Sequence, residues 1–202
     1  MAKIKLTKTE LKSQQDALKQ YNRFLPTLQL KKQQLQMEIR NSIELLEANK
    51  REQQVYTEKL RSFIAVFSDE LFFESLQGIV VLKSVECTQS NIAGVNVPVF
   101  EKATFDNKKY DRFATPWIFD DAVDALEGLV ALREAGKIIE EQYRLLNIEL
   151  RTTTQRVNLF EKVKIPECKE NIRKISIQLS DLSTAAVARS KIAKKKTMEA
   201  SA

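Results

Sequence analysis

The chain has 202 residues, of which 30% are charged and 7% are aromatic, with only four glycines and four prolines. This composition excludes a turn-rich β-fold, which needs more glycine and proline, and a disordered chain, which is less hydrophobic and not periodic. The formal net charge of +6 lies at the ends, because residues 1–12 carry +3 and residues 189–202 carry +4. By length we expect one domain or one elongated body.

Residue content also excludes most catalytic chemistry. Histidine is absent, so the chain has no histidine base, no Ser–His or Cys–His pair and no histidine-containing metal site. The glycines form neither a GxxxxGK[ST] phosphate loop nor a GxGxxG turn. We therefore predict a non-catalytic protein without a cofactor, nucleotide or metal of its own.

Targeting signals are not evident. The sequence contains no run of about 18 apolar residues, the length that a membrane span needs. Its start, MAKIKLTKTELK, lacks the apolar core of a signal peptide. Cys87 and Cys168 are isolated, which is typical of reduced thiols. We expect a cytoplasmic protein without direct membrane insertion.

The first predicted element is one coiled-coil helix over roughly residues 4–70. Its residues follow two lines of seven-residue spacing, three residues apart, and we call such a line a seam. Pro26 costs about 3 kcal/mol inside a helix, yet Leu25 and Ile39 stay in phase on either side, so we predict a kinked helix and not two helices. The first seam is Ile4, Leu11, Leu18, Leu25, Lys32, Ile39, Leu46, Gln53, Leu60 and Phe67. The second is Tyr21, Leu28, Leu35, Tyr56 and Phe63, interrupted by Thr7, Gln14, Ser42, Asn49 and Glu70.

The middle of the chain predicts a β-hairpin or small sheet. GIVVLKSVE (78–86) and NIAGVNVPVF (91–100) read as strands joined by CTQS. Pro98 places the second strand at a sheet edge. Residues 101–116 read as a polar connector.

A second long helix is predicted from about residue 117 to the lysines at 194–196. Thr115 caps it, Pro116 suits its first turn, and Asp120 and Asp121 favour the positive end of its dipole. Gly136 either lets a partner backbone approach or is simply tolerated. Its seam is Leu129, Leu132, Gly136, Ile139, Tyr143, Leu146, Leu150, Thr153, Val157 and Phe160. After a phase slip at Pro166 it continues as Ile165, Cys168, Ile172, Ile175, Leu179, Leu182 and Ala186.

The predicted fold class is mainly α, a long antiparallel two-helix coiled coil with a small β-hairpin region between the helices. Its predicted parts are an N-terminal coiled-coil helix (1–70), a short helical end with the β-hairpin and connector (71–115), and a C-terminal coiled-coil helix with a basic tail (116–202). Such a fold brings both termini together, so the two basic clusters are expected to merge at one tip. These clusters are Lys3, Lys5 and Lys8 with Arg189, Lys191, Lys194, Lys195 and Lys196.

Three functions suit this pattern. The protein is an axle or strut in a larger assembly whose acidic ring faces the basic tip, or a prefoldin-like chaperone with paired helices around β-hairpins, or a nucleic-acid binder. The third is disfavoured because the basic ends lack interleaved aromatic residues.

Three stretches resemble the D subunits of the V-type (A/V-type) ATPases. They are TKTELKSQQDALKQ (7–20) through LQLKKQQLQMEI (28–39), NIAGVNVPVF (91–100) and TTTQRVNLFEKVKIPECKENIRKI (152–175). The last is the most specific, since it is similar to an RVN-x-x-E-x-x-x-IP run of that family. The overall pattern is close to the chlamydial form, while Pro26 and the segment after Leu182 depart from the family pattern.

The resemblance implies a non-catalytic central-stalk rotor subunit that couples ATP hydrolysis or synthesis to ion transport. It implies four partners: the A and B subunits of the head, the small F subunit of the central stalk, and a membrane-side connector. It also implies a location peripheral to the membrane. The basic clusters are then expected to contact the head, Gly94, Val95 and Pro98 to form a hairpin contact, and a motif to set coil curvature and contacts with the F subunit. The motif residues are Arg156, Asn158, Glu161 and Pro166.

Overall fold

The structure is a computed structural model that describes residues 5–66, 79–108 and 118–200. The predicted mainly α fold is confirmed, with a two-stranded antiparallel sheet between long helices. Lys3, the proposed cap Thr115-Pro116 and the seam residues Ile4, Phe67 and Glu70 lie outside the described residues. The elements are α1 (Lys8–Val66), β1 (Leu82–Ile92), β2 (Val95–Phe105), α2 (Ile118–Leu159), a π-turn (Phe160–Lys164) and α3 (Ile165–Ala200).

The chain divides into two compact units. The hairpin unit is Gln33–Arg151, and the terminal unit combines Met1–Lys32 with Thr152–Ala202. In both units α1 runs antiparallel to the later helix. In the terminal unit, for example, Gln14 faces Asn171 and Tyr21 faces Phe160.

Helix α1 begins at a side-chain cap and continues through Pro26. The Glu10 backbone N–H donates to the Thr7 hydroxyl (3.3 Å), which satisfies one of the free amides of the first turn. Pro26 lies inside the helix, so the prediction of one helix is confirmed, while its kink stays a prediction. The Thr27 hydroxyl donates to the Phe24 carbonyl (2.8 Å) in the turn around this proline.

Most predicted seam residues of α1 are buried or half-buried in the described range. Leu35 is fully buried, and Ile39, Ser42 and Asn49 are buried as well. Thr7 is exposed and caps the helix instead of filling the seam.

The hairpin turn lies at Ala93–Gly94, which corrects the prediction that CTQS joins the strands. Ala93 and Gly94 have φ of 51° and 80°, the positive values that a tight hairpin turn requires at its two central residues. Asn91 supports the turn, since its Oδ1 accepts from the Gly94 N–H (3.0 Å) and its Nδ2 donates to Asn96 Oδ1 (2.8 Å). CTQS therefore lies within β1.

The second strand is also longer than predicted. Residues 101–105 belong to β2 and pair with the start of β1, with Leu82 opposite Phe105, so the predicted polar connector begins later. Pro98 pairs with Gln89 at the edge of a two-stranded sheet, as expected from its missing N–H.

The hairpin packs along the helices of its own unit. Near the turn, Val97 is fully buried in a cluster with Leu35, Ile39 and Leu146. At the open end, Ile79 packs with Phe119 and Val123.

The second long helix is interrupted by the π-turn. The Ile165 N–H donates to the Phe160 carbonyl, five residues back, which inserts one extra residue into the turn. The predicted phase slip is therefore confirmed, because its five-residue step from Phe160 to Ile165 is this turn. The helix then continues past the lysines at 194–196 to Ala200.

The seam predicted for the second long helix is wrong in two places. Tyr143 is exposed, and Gln142 is buried beside it and donates to the Pro98 carbonyl, because β2 and not α1 occupies that side of α2. Leu182 and Ala186 are exposed, because the antiparallel pairing with α1 ends near Leu179.

We predict that Gln142→Leu loosens the hairpin. The substitution leaves the Pro98 carbonyl without its side-chain donor, which costs about 1–3 kcal/mol for a buried group. Hydrogen–deuterium exchange of residues 82–105 should become faster and thermal unfolding should begin earlier. Gln155→Leu, at an exposed position of the same helix, is the control, and equal exchange in both variants would contradict the prediction.

We predict that the π-turn can be removed without changing the seam. Deleting exposed Val163 together with Pro166→Ala removes the extra residue and the proline, so Ile165, Cys168 and Ile175 keep their faces in a regular helix. Deleting Lys169 instead rotates fully buried Ile175 away from α1, which costs about 2–5 kcal/mol, as for an isoleucine truncation.

Thermal unfolding and the alkylation rate of buried Cys168 measure both effects. The first variant should resemble the parent protein in both measurements. The Lys169 deletion should unfold at a lower temperature. Equal loss of stability in the two deletion variants would refute this explanation of the turn.

Candidate interaction surfaces

Two glycines of α2 lie directly under side chains of α1. A Cβ atom added at Gly128 would lie 2.6 Å from Cε1 of Tyr56, and one added at Gly136 would lie 3.0 Å from Oδ1 of Asn49. The close approach expected at Gly136 is real, but the neighbour is a side chain and not a backbone. The contact at Gly128 is not predicted from the sequence, because Gly128 is off the seam proposed for α2.

Amide side chains of α1 bind the backbone of α2 at Gly136. Asn49 Nδ2 and Gln53 Nε2 donate to the Leu132 carbonyl (3.1 and 3.3 Å), and Gln53 Nε2 also lies 2.7 Å from Asn49 Oδ1. Leu132 stands four residues before Gly136, so the missing side chain leaves its carbonyl accessible to a second helix. A polar cleft of about 180 Å³ lies beside this contact and is flanked by Lys50, Arg133 and Lys137.

The described residues of the two basic clusters do not meet. Lys5 and Lys8 lie at the start of α1, and the last residue that the pairing half-buries in α3 is Leu179. Lys194 stands 15 residues later, about 22 Å along a helix. The expectation of one tip is therefore corrected, because α1 begins too late to accompany the end of α3.

The end of α3 is a helix without a covering neighbour among the described residues. We call residues 181–199 the C-terminal extension, and every residue in it is exposed. It carries the exposed apolar residues Leu182, Val187, Ile192 and Met198. The predicted contacts Arg189, Lys191, Lys194, Lys195 and Lys196 also lie in it.

The three hairpin candidates have different positions. Gly94 is exposed in the turn. Val95 packs against the cluster around Leu35, and Pro98 accepts a hydrogen bond from Gln142. Two of the three are therefore used in docking the hairpin onto its own helices, and only Gly94 remains open to a partner.

The four motif residues lie around the π-turn. Arg156, Asn158, Glu161 and Pro166 are all exposed, so none of them fills the seam. Val163 and Leu159 are exposed nearby, which gives this region apolar as well as polar surface.

The shifted pKa values in the described residues belong to one buried thiol and to surface ion pairs. Burial raises the pKa of the Cys168 thiol, which disfavours a reactive thiolate. The pKa of Glu141 is lowered by its hydrogen bond from Arg144, and that of Glu170 by Lys174, as surface helix pairs do. Across residues 5–66, 79–108 and 118–200, no group of acidic or cysteine side chains is arranged to hold a metal ion.

The helices in the described part of the chain include none that is both long and apolar enough to cross a membrane.

Comparison with known proteins identifies the family. The family model for the D subunit of ATP synthase matches residues 10–195. The V-type ATP synthase D subunit of Borreliella burgdorferi is 45% identical over 96% of this chain and 95% of its own length. The D subunits of Chlamydia pneumoniae and Chlamydia trachomatis serovar L2 are 35% and 32% identical over 96% and 98% of this chain, and over 92% and 98% of their own lengths. The resemblance seen in the sequence is confirmed, and the chain belongs to the family of V-type ATP synthase D subunits.

Proposed function

We propose that the chain is the non-catalytic rotor shaft of a V-type ATPase, in the central stalk of the enzyme. It couples ATP hydrolysis or synthesis in a hexameric head to rotation and to ion transport across a membrane. Family membership supports a subunit of this enzyme, and the rotor role goes one step beyond it. The prefoldin-like alternative has no support from the matched relatives.

The observation that carries the proposal is the C-terminal extension. A helix of 19 residues that is exposed throughout has no reason to stay apolar at Leu182, Val187, Ile192 and Met198 unless a partner covers it. Many of its other side chains are small, since alanine occupies positions 185, 186, 188 and 193. A slender helix of this kind fits a narrow central cavity in a ring of subunits.

The family implies the partners, and we assign each of them to an exposed surface. The extension and its lysines contact the A and B subunits of the head. The exposed motif residues Arg156, Asn158, Glu161 and Pro166 contact the F subunit. The membrane-side connector contacts another part of the shaft. As a subunit of this complex, the chain works in the cytoplasm, peripheral to the membrane.

The mechanism requires an asymmetric shaft in a threefold ring. ATP binding and hydrolysis change which of three catalytic interfaces is closed, and the shaft turns to follow the closed interface. Lysine side chains suit the sliding contact, because charge attraction acts over several ångströms and needs no interlocking shape. The same coupling runs in reverse under an ion gradient.

A native pull-down of the tagged chain from its own cells tests the proposal. We expect two large nucleotide-binding subunits in equal amounts, about three of each per copy of this chain, with stoichiometry measured by native mass spectrometry. Recovery of like-sized coiled-coil chains and unfolded clients, without nucleotide-binding subunits, would instead support a chaperone.

We predict that replacing Lys194, Lys195 and Lys196 with alanine weakens assembly with the head. Three exposed charges are lost, and salt screens the attraction of those that remain, with a Debye length of about 8 Å at physiological ionic strength. The head complex should therefore dissociate at a lower salt concentration, and ATP hydrolysis should be coupled less tightly to ion transport.

The matched control removes three exposed lysines from the hairpin region, Lys83, Lys102 and Lys108. It changes net charge equally without touching the extension. If both triple variants assemble and couple like the parent protein across a salt series, the lysines of the extension are not head contacts.

A further inference from the structure

We propose that Asn49, Gln53 and Tyr56 of α1 hold the axial register of α1 against α2 through Gly128 and Gly136. The contacts themselves do not depend on the proposed rotor function, but the use we assign to them rests on it. We call the contacts of these three side chains with α2 at the two glycines the register contacts.

The first register contact is polar and joins a side chain to a backbone. Asn49 and Gln53 both donate to the Leu132 carbonyl, which already lies within a helix and accepts from its own chain. Asn49 is buried. A buried amide needs its hydrogen-bond partner, so the axial position at which Asn49 meets this carbonyl is favoured over others.

The second register contact is steric. The Tyr56 ring occupies the space above Gly128, so close that a methyl group there would overlap it at 2.6 Å. Lys59 Nζ lies 5.2 Å from the centroid of the same ring, within the range of a cation–π contact. The ring is therefore held between a glycine of α2 and a lysine of its own helix.

Heptad packing alone does not select this register. Ile39, Leu46 and Leu60 follow seven-residue spacing on one seam of α1, with Gln53 between the last two. A slip of seven residues therefore still matches several apolar residues to apolar residues. Such a slip moves Asn49 and Gln53 away from the Leu132 carbonyl. It also moves Tyr56 away from Gly128. The register contacts make the native alignment differ from its neighbours.

Register matters for a shaft because twisting the shaft makes its helices slide. Two helices that wind around each other both lie off the common axis. Torque applied about that axis therefore shifts one helix along the other. Contacts that oppose this shift raise torsional stiffness. Apolar side chains in a seam oppose it weakly, since their attraction is not directional.

The test measures the register directly in the full-length chain. Spin labels are placed at Glu44 of α1 and Asp124 of α2, both exposed, after Cys87→Ser and Cys168→Ala. Electron–electron resonance then gives the distance between them. We expect one distance in the parent protein. In Asn49→Ala/Gln53→Ala we expect a second population, because a slip of one heptad moves a label by about 10 Å along the helix.

The control is Gln34→Ala/Asn41→Ala, which removes the same two residue types from exposed positions of α1. It should keep the single distance. Gly128→Ala provides a second variant, because its methyl group must displace the Tyr56 ring. If the amide variant loses helical circular dichroism, Gly128→Ala decides the outcome.

A single unchanged distance in both folded variants would overturn the proposal. In the assembled enzyme, the register variants should also transport fewer ions per ATP than the control. A second distance in the isolated chain with no nucleotide-binding partners in the pull-down would keep the register contacts and remove the rotor. An unchanged distance with a normal head complex would do the reverse.

Discussion

A pair of helices buries only a narrow line of side chains from each partner, and the rest of this structure depends on that constraint. A globular domain can correct a small misalignment with contacts from many directions. Here a rotation of one helix by a single residue moves its whole buried line toward solvent. Phase and register therefore have to be specified locally, by features that interrupt the regular pattern.

The π-turn is the feature that specifies phase. Before it, Phe160 packs against Tyr21 of α1, and directly after it Ile165 is buried. In an uninterrupted α-helix the five-residue step from Phe160 to Ile165 would turn by about 140°, so the two side chains would point to different sides. Pro166 follows the turn at an exposed position and cannot donate a backbone hydrogen bond, so it fits where the α-helical pattern is already broken. The extra residue and the proline thus solve the same packing problem.

Buried polar groups contribute specificity where leucine would contribute only burial. Ser42, Asn49, Gln142, Thr153 and Asn171 are all buried. Several of them reach another element: Asn49 the backbone of α2, Gln142 the hairpin, and Asn171 the side chain of Gln14 (3.4 Å). Each such contact exists at one alignment only. Replacing them with apolar residues can preserve stability while losing uniqueness, as in other coiled coils.

The parts of the fold that the sequence predicts are those encoded by local periodicity. The seven-residue spacing of α1 and the five-residue step between Phe160 and Ile165 are readable because each reflects one helix packed against a neighbour. The hairpin turn escapes prediction because alanine rarely adopts positive φ, so Ala93-Gly94 does not read as a turn. Periodicity places Tyr143 in the seam because it does not reveal that β2, approaching from the side, makes Gln142 the inward residue.

The candidate surfaces are less predictable than the fold for a related reason. Charge counts locate the lysines of the C-terminal extension but not their distance from the start of α1, since that distance depends on where the pairing of two helices ends. The glycines give a partial signal, because Gly136 lies on a seam and Gly128 does not. Both glycines lie opposite side chains of α1, Gly136 opposite Asn49 and Gly128 opposite Tyr56. Local sequence patterns do not reveal such contacts, because they join residues far apart in the chain.

The proposed rotor function places two opposite requirements on the second half of the chain. Along α2, the directional contacts proposed above resist sliding between helices, which a torque-transmitting element needs. Beyond Leu179 the helix has no neighbour in the described structure, and its small side chains and lysines offer a surface that can move past a partner. A chain that ended both helices together would lose the second property. One that paired apolar residues alone would weaken the first. In this proposal, the offset between the start of α1 and the end of α3 separates the two requirements along one chain.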